Sequence, residues 1–102
     1  MELMLTGAPI SAARAHEVGL VNRLAEPGDL HTVAQELAEQ IAANAPLSVA
    51  AGKRTATLTA EHPLSEAFDI AESIWEPVYL SEDAQEGMAA FKEKRSPVWK
   101  GR

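Results

Sequence analysis

The chain has 102 residues, nine Lys and Arg against fifteen Asp and Glu for a net charge of -6, a 46% apolar fraction, only 5% aromatic residues and no cysteine. This length bounds it to one domain at most, able to bury roughly 65% of its unfolded surface. The composition excludes disulfides, thiol nucleophiles and thiolate metal sites, no apolar run approaches the ~20 residues of a membrane span, and the acidic balance argues against general nucleic-acid binding.

Alanine carries much of the apolar count, so a core built from these side chains is thin unless other surfaces close over it. The opening, "MELMLTG", starts helix-favouring and halts at Thr6-Gly7, like the last turn of something longer. It has no basic n-region and no long apolar stretch, so no secretory signal is expected. The lack of cysteine fits a reducing compartment, and a cytoplasmic location is the expectation.

Ser11 is placed to N-cap a short helix from Ala12 to Val18, with Gly19 ending it. Leu20 to Leu24 is a short apolar stretch with extended character, and "EPG" at Glu26–Gly28 is a turn. Asp29 can cap a helix reaching about Asn44, whose Leu30, Val33, Leu37 and Ile41 form one apolar stripe, widened by Ala34 and Ala38. Pro46 suits the first turn of a helix over Leu47–Thr59, with Gly52 inside it.

A further helical pattern runs from Leu64 to about Leu80 through Ala67, Phe68, Ala71, Ile74, Trp75 and Val78. Pro77 is expected to kink it or end it early. Ser81 then caps "SEDAQEGMAAFKEKR", with Glu82, Asp83 and Glu86 toward the N-terminal end and Lys92, Lys94 and Arg95 toward the C-terminal end. Both groups complement the helix dipole, and Pro97 is expected to stop the helix. The fold class is therefore all-α: five or six helices whose apolar stripes exceed what 102 residues can cover internally.

A search for chemistry within the chain returns little. There is no glycine-rich phosphate loop and no GxSxG. His16-Glu17 opens like HExxH but lacks the second histidine. His16, His31 and His62 lack metal-ligand spacing and read as exposed or partly packed, and no metal site is expected. Carboxylate pairs such as Glu36 and Glu39 read as helix-surface charges.

Four segments in order, LTG-x-x-I-S-A, G-L-V-N, A-N-A-P-L-x-V and E-D-A-x-E-G-x-x-A-F-x-E-K-R-x-P, resemble the C-terminal part of the crotonase superfamily, the enoyl-CoA hydratase/isomerase enzymes. The resemblance covers Met1 to Arg102. It implies the C-terminal helical, trimerisation domain of the crotonase fold without the N-terminal ββα-spiral core. Residues 1–28 would match the end of the spiral core and its linking helix, and residues 29–102 the helical oligomerisation region. The family's oxyanion hole and catalytic carboxylates lie upstream of the position matching Met1, so neither of those roles passes to this chain and it is not expected to be catalytic alone. The differences that separate hydratase from isomerase, dehydratase or decarboxylase also lie upstream. The resemblance further implies acyl-CoA as substrate, no cofactor besides that thioester, no nucleic-acid or membrane partner, and self-association through apolar helix faces into trimers or hexamers. Two alternatives to an enzyme segment stand beside it: a free-standing helical interaction module, and one chain of a two-chain crotonase.

By the same resemblance Phe91 and Lys94, three apart on the last helix and so sharing a face, match residues that contact the adenine and 3′-phosphate of coenzyme A. A ring stacks on a purine and an ammonium is a compact charge suited to phosphate. The alternative makes Phe91 core and Lys94 a complement to the helix C-terminus. Arg95 and Lys100 either add attraction for the nucleotide or sit on a solvated face. Tyr79 is the one catalytic candidate: some branches, such as the dihydroxynaphthoyl-CoA synthases, place an active-site tyrosine at the matching position, where a phenol can hydrogen-bond an enolate or carbonyl. Its alternative is an interfacial or core aromatic. Trp75 and Trp99 read as packing anchors. Leu5, Ile10, Val18 and Leu20 face either ordinary helix neighbours, or an upstream core or the acyl chain.

Overall fold

A computed structural model describes every residue, Met1–Arg102, and it is all-α, with six helices and no strand. They are α1 (Glu2–Thr6), α2 (Ala12–Glu17), α3 (Leu30–Ala42), α4 (Pro46–Thr59), α5 (Leu64–Tyr79) and α6 (Glu82–Glu93). The chain divides into two compact units, Met1–Glu36 and Leu37–Arg102.

In the first unit the local chemistry sets each boundary. α1 ends at Gly7, whose φ of 65° is left-handed and whose N–H donates to the Leu3 carbonyl at 3.0 Å. Ser11 Oγ accepts from the Arg14 N–H at 3.1 Å, which starts α2. Gly19, at φ 74°, ends it as expected, since that backbone conformation is cheap only without a Cβ. Residues 20–24 form no strand. The Leu20 and Val21 N–H groups both donate to the Ala15 carbonyl, so the chain folds back on α2 instead of extending. The Asp29 N–H closes the turn onto Glu26 at 3.0 Å.

The second unit is organised by α4 and α5, which pack on each other as an antiparallel pair. Thr55 and Thr59 of α4 line one cleft with Leu64, Phe68 and Ala71 of α5, and Leu47 and Ala51 line another with Ile74 and Val78. Trp75 crosses this seam: its indole N–H donates to Thr55 Oγ1 at 3.0 Å, and its ring passes the bare face of Gly52. Pro46 occupies the first position of α4, where its missing N–H costs nothing. Asn44 Nδ2 donates to the Gln40 carbonyl at 2.6 Å and closes the C-terminal end of α3.

Two proline expectations need correction. α5 runs through Pro77 and ends two residues beyond it, at Tyr79. Proline gives up a single N–H there, within the last turn, so little helix remains to be disturbed. α6 stops at Glu93, well before Pro97. What ends it is Lys94, in a left-handed conformation (φ 54°, ψ 39°), with the Arg95 N–H closing a six-to-one hydrogen bond to the Ala90 carbonyl at 3.1 Å.

The core is as thin as the composition suggested. The buried apolar residues are Ala15, Ala51 and Ala90, and no large side chain is fully enclosed. The α3 stripe is uneven: Val33 and Leu37 are half-buried, whereas Leu30 and Ile41 are exposed. On α5, Leu64 and Phe68 stand open at 74% and 69% exposure.

Candidate functional site

α6 has two contrasting sides. One side carries Asp83, Gly87 and Ala90, spaced four and three apart, and it packs inward; Asp83 and Ala90 are each only 2% exposed. The Trp99 ring lies on Gly87, 3.4 Å from where a Cβ would stand. The other side carries Met88 and Phe91, three apart and both open to solvent, Phe91 at 88%. Within this chain Phe91 is not a core residue.

Ser81 fixes the start of the helix. Its Oγ accepts from the Ala84 N–H at 3.0 Å and donates to the Val78 carbonyl at 2.6 Å. The tail then returns along the same helix. Asp83 Oδ1 accepts from the Lys100 N–H at 2.7 Å and Oδ2 from the Gly101 N–H at 2.9 Å, while the Asp83 N–H donates to the Arg102 carbonyl at 3.2 Å. Glu86 takes both Nη atoms of Arg95, Nη2 at 2.9 Å, and the Val98 N–H at 2.7 Å. Lys100 Nζ and Arg102 Nε both reach Glu82, at 3.0 and 3.2 Å.

The electrostatics follow from these contacts. The Arg95 guanidinium, and then the Val98 N–H, hold the Glu86 carboxyl down to about 2. Hydrogen bonding from Lys100, followed by the charge of Arg102, lowers Glu82. Glu86 and Glu93 together hold Arg95 in its charged form. Three of the basic groups near the C-terminus, Arg95, Lys100 and Arg102, are therefore committed to acids of α6 or its last turn. Lys94 is not: its Nζ makes no hydrogen bond or ion pair in the chain.

The Lys94 N–H donates to the Phe91 carbonyl at 3.3 Å, which keeps the two adjacent along the backbone, but the expected geometry changes. Helical spacing would have put the two on one face of a continuous helix. Instead Lys94 lies beyond the helix, and a left-handed turn sets its direction. Tyr79 is elsewhere. It stands at 71% exposure at the end of α5 and stacks on Trp75, with ring centroids 5.9 Å apart and planes 28° apart. The ten residue steps from the N-cap Ser81 to Phe91 rise about 15 Å, so Tyr79, just before α6, and the Phe91–Lys94 pair lie toward opposite ends of it.

The sequence reading missed the work of Glu82, Asp83 and Glu86 and treated them as helix-dipole charges. Residues nine apart on a helix lie on opposite sides, so Glu86 and Arg95 carry no periodic signal of pairing. Only the reversal at Lys94 brings them together. No group of three or more His, Cys, Asp or Glu side chains is gathered to hold a metal ion, and no helix is long and apolar enough to cross a membrane.

The chain is thus six helices without strands, with an exposed aromatic and an unpaired ammonium at the end of the last helix. Comparison with known proteins gives the class. The family model described as enoyl-CoA hydratase/isomerase matches residues 1–102, and the chain belongs to that family. Its fold is the C-terminal helical domain of the crotonase fold.

Among curated relatives, carnitinyl-CoA dehydratase of Salmonella typhi is 43% identical over 99% of this chain and 40% of its own length. An enoyl-CoA hydratase of Mycobacterium tuberculosis is 46% identical over 99% of this chain and 38% of its own. Among solved structures, an enoyl-CoA hydratase from Mycobacterium marinum superposes with a TM-score of 0.95 at 50% identity, covering 100% of this chain and 40% of that one. One from Mycobacterium tuberculosis H37Rv gives 0.96 at 49% identity, with the same coverage of each. The chain thus spans about two fifths of the length of the relatives it matches.

Proposed function

We propose that this chain forms the nucleotide-side wall and an assembly surface of an acyl-CoA hydratase or isomerase, with Phe91 and Lys94 contacting the adenine and 3′-phosphate of coenzyme A. The observation that supports this reading is the contrast at the end of α6. Arg95, Lys100 and Arg102 are neutralised by carboxylates within the chain, whereas Lys94, like Lys92, carries no ion pair, and the Lys94 N–H donates to the carbonyl of the open Phe91 at 3.3 Å. A base stacked on an aromatic ring gains about 1–3 kcal/mol, and an uncommitted ammonium can add a charge-assisted bond to a phosphate.

Adenosine 3′,5′-bisphosphate is the probe that tests it. Titrated into the 102-residue chain, it is expected to shift the NMR signals of Phe91 and Lys94, weakly because one wall of a cleft binds weakly. It should bind more tightly than adenosine 5′-monophosphate, and Lys94→Ala should remove that preference. Shifts that avoid both residues, or a preference that survives Lys94→Ala, would sink the assignment.

Catalysis falls to residues outside 1–102, so the chain alone is expected to be inactive on crotonyl-CoA. The exposed Leu64, Phe68 and Leu80 favour an assembly role: we read these faces as contacts with further copies, as trimers or hexamers, or with the rest of the enzyme. A place in fatty-acid-type metabolism of the cytoplasm fits the family and the absence of cysteine.

A further inference from the structure

Lys94 has the only positive φ outside glycine in the chain. The other left-handed helix endings, after α1 and α2, use Gly7 and Gly19. A side chain in that conformation is strained, so it persists only where its surroundings over-determine it. Here the surroundings are explicit. On one side the Arg95 N–H closes onto Ala90. On the other, the Arg95 guanidinium is gripped by Glu86 and Glu93, the Val98 N–H by Glu86, the Lys100 and Gly101 N–H groups by Asp83, and the Trp99 indole by the Ala43 carbonyl.

The geometry points to Glu86 as a positioning residue: by clamping Arg95 and Val98 it draws the 95–102 segment into a strap that fixes the left-handed turn at Lys94, and so sets the direction of the Lys94 ammonium relative to the Phe91 ring. This assignment rests on the coenzyme A reading of Phe91 and Lys94. Glu86 touches no ligand. It acts through the turn, from the side of α6 turned away from Phe91. One carboxylate holds a side chain just past the turn and a backbone N–H three residues further on, so it couples the turn to the strap. The strap's other anchors, at Asp83 and Ala43, are more distant from Lys94 in sequence and leave the turn itself free to relax.

The test uses Glu86→Gln, which keeps the shape of the side chain and removes its charge, and Arg95→Gln, which attacks the same pair from the other side should the first variant fail to fold. Circular dichroism reports whether α6 survives. The expected result is faster amide exchange at Val98, a shifted Lys94 backbone signal, and a loss of preference for adenosine 3′,5′-bisphosphate over adenosine 5′-monophosphate of about fivefold, the scale of one charge-assisted contact. Affinity for the monophosphate should change little, because Phe91 is untouched. A purely structural role would weaken both nucleotides together or neither. Retention of the bisphosphate preference in a folded Glu86→Gln or Arg95→Gln chain, or an unchanged Lys94 signal, overturns the positioning role alone. Absence of any bisphosphate preference in the unaltered chain, or its survival in Lys94→Ala, instead overturns the coenzyme A reading beneath it.

Discussion

The indole N–H of Trp99 donates to the backbone carbonyl of Ala43 at 2.8 Å, joining residues 56 apart in sequence. This bond anchors the tail to the end of α3, and the same ring lies against Gly87 of α6. One aromatic side chain therefore ties α3, α6 and the tail together in a unit whose buried apolar residues are alanines.

Trp99→Ala should accordingly be among the more damaging substitutions. It removes the indole hydrogen bond and the packing over Gly87 and should cost about 2–3 kcal/mol. Trp99→Phe keeps most of the packing and should cost about 1 kcal/mol. Chemical denaturation of both variants checks the ranking.

Asp83→Ala should leave the Lys100 and Gly101 N–H groups without their charged acceptor. Asp83 is 2% exposed, so water reaches the vacated position poorly. A loss of about 2–3 kcal/mol is expected, together with faster amide exchange at residues 100 and 101 while α6 stays helical.

Glu86 gives the stability a defined acid limb. Its carboxyl is held at about 2 in the folded chain, by Arg95 first and by the Val98 N–H second, against ~4.3 when unfolded. An acid depressed in this way stabilises the fold above its unfolded value, and that contribution is lost as pH falls from there through about 2. The melting temperature should therefore decline between about pH 5 and 2, and Glu86→Gln should flatten the decline. Because the Arg95 side chain is 39% exposed and that of Glu86 23%, the pair is partly screened and added salt should shrink the difference.

Gly52→Ala should stabilise the chain. A Cβ at this position in α4 would sit 4.0 Å from Trp75 Cζ2, an ordinary contact. Alanine also costs about 0.5–1 kcal/mol less than glycine within a helix. A rise in melting temperature of about 4 °C is expected; a fall would mean that α4 and Trp75 cannot accommodate one methyl group.

Light scattering should find a mass above the 10.9 kDa of one chain at micromolar concentration. Leu64→Glu combined with Phe68→Glu should lower it, since these are large exposed apolar residues on α5. A stable monomer before substitution would contradict self-association through this face.

Much of the fold was legible in the sequence because its boundaries rest on local chemistry. Ser11 and Ser81 cap their helices through their own hydroxyls, Pro46 opens α4, and Gly7 and Gly19 end α1 and α2. Each of these devices acts within four or five residues, so order along the chain suffices to find it. Neither proline ends its helix, for a related reason. Proline forbids one backbone bond, but a helix can absorb it in the last turn, as α5 does at Pro77, or end earlier for another cause, as α6 does at Lys94.

The candidate residues could be named from the sequence, but not how the chain arranges them. Phe91, Lys94 and Tyr79 could be named from the motif, and the family to which the chain belongs follows from the same four segments. Their exposure, the separation of Tyr79 from the other two, and the contrast between unpaired Lys92 and Lys94 and the paired Arg95, Lys100 and Arg102 follow from the folded chain. Helices, caps and family are written in the order of residues, because these depend on near neighbours and on motif order. Only the tertiary structure decided which charges are spent and which are free. Glu86 with Arg95, Asp83 with Lys100 and Gly101, and Trp99 with Ala43 are joined by a chain reversal that has no period in sequence.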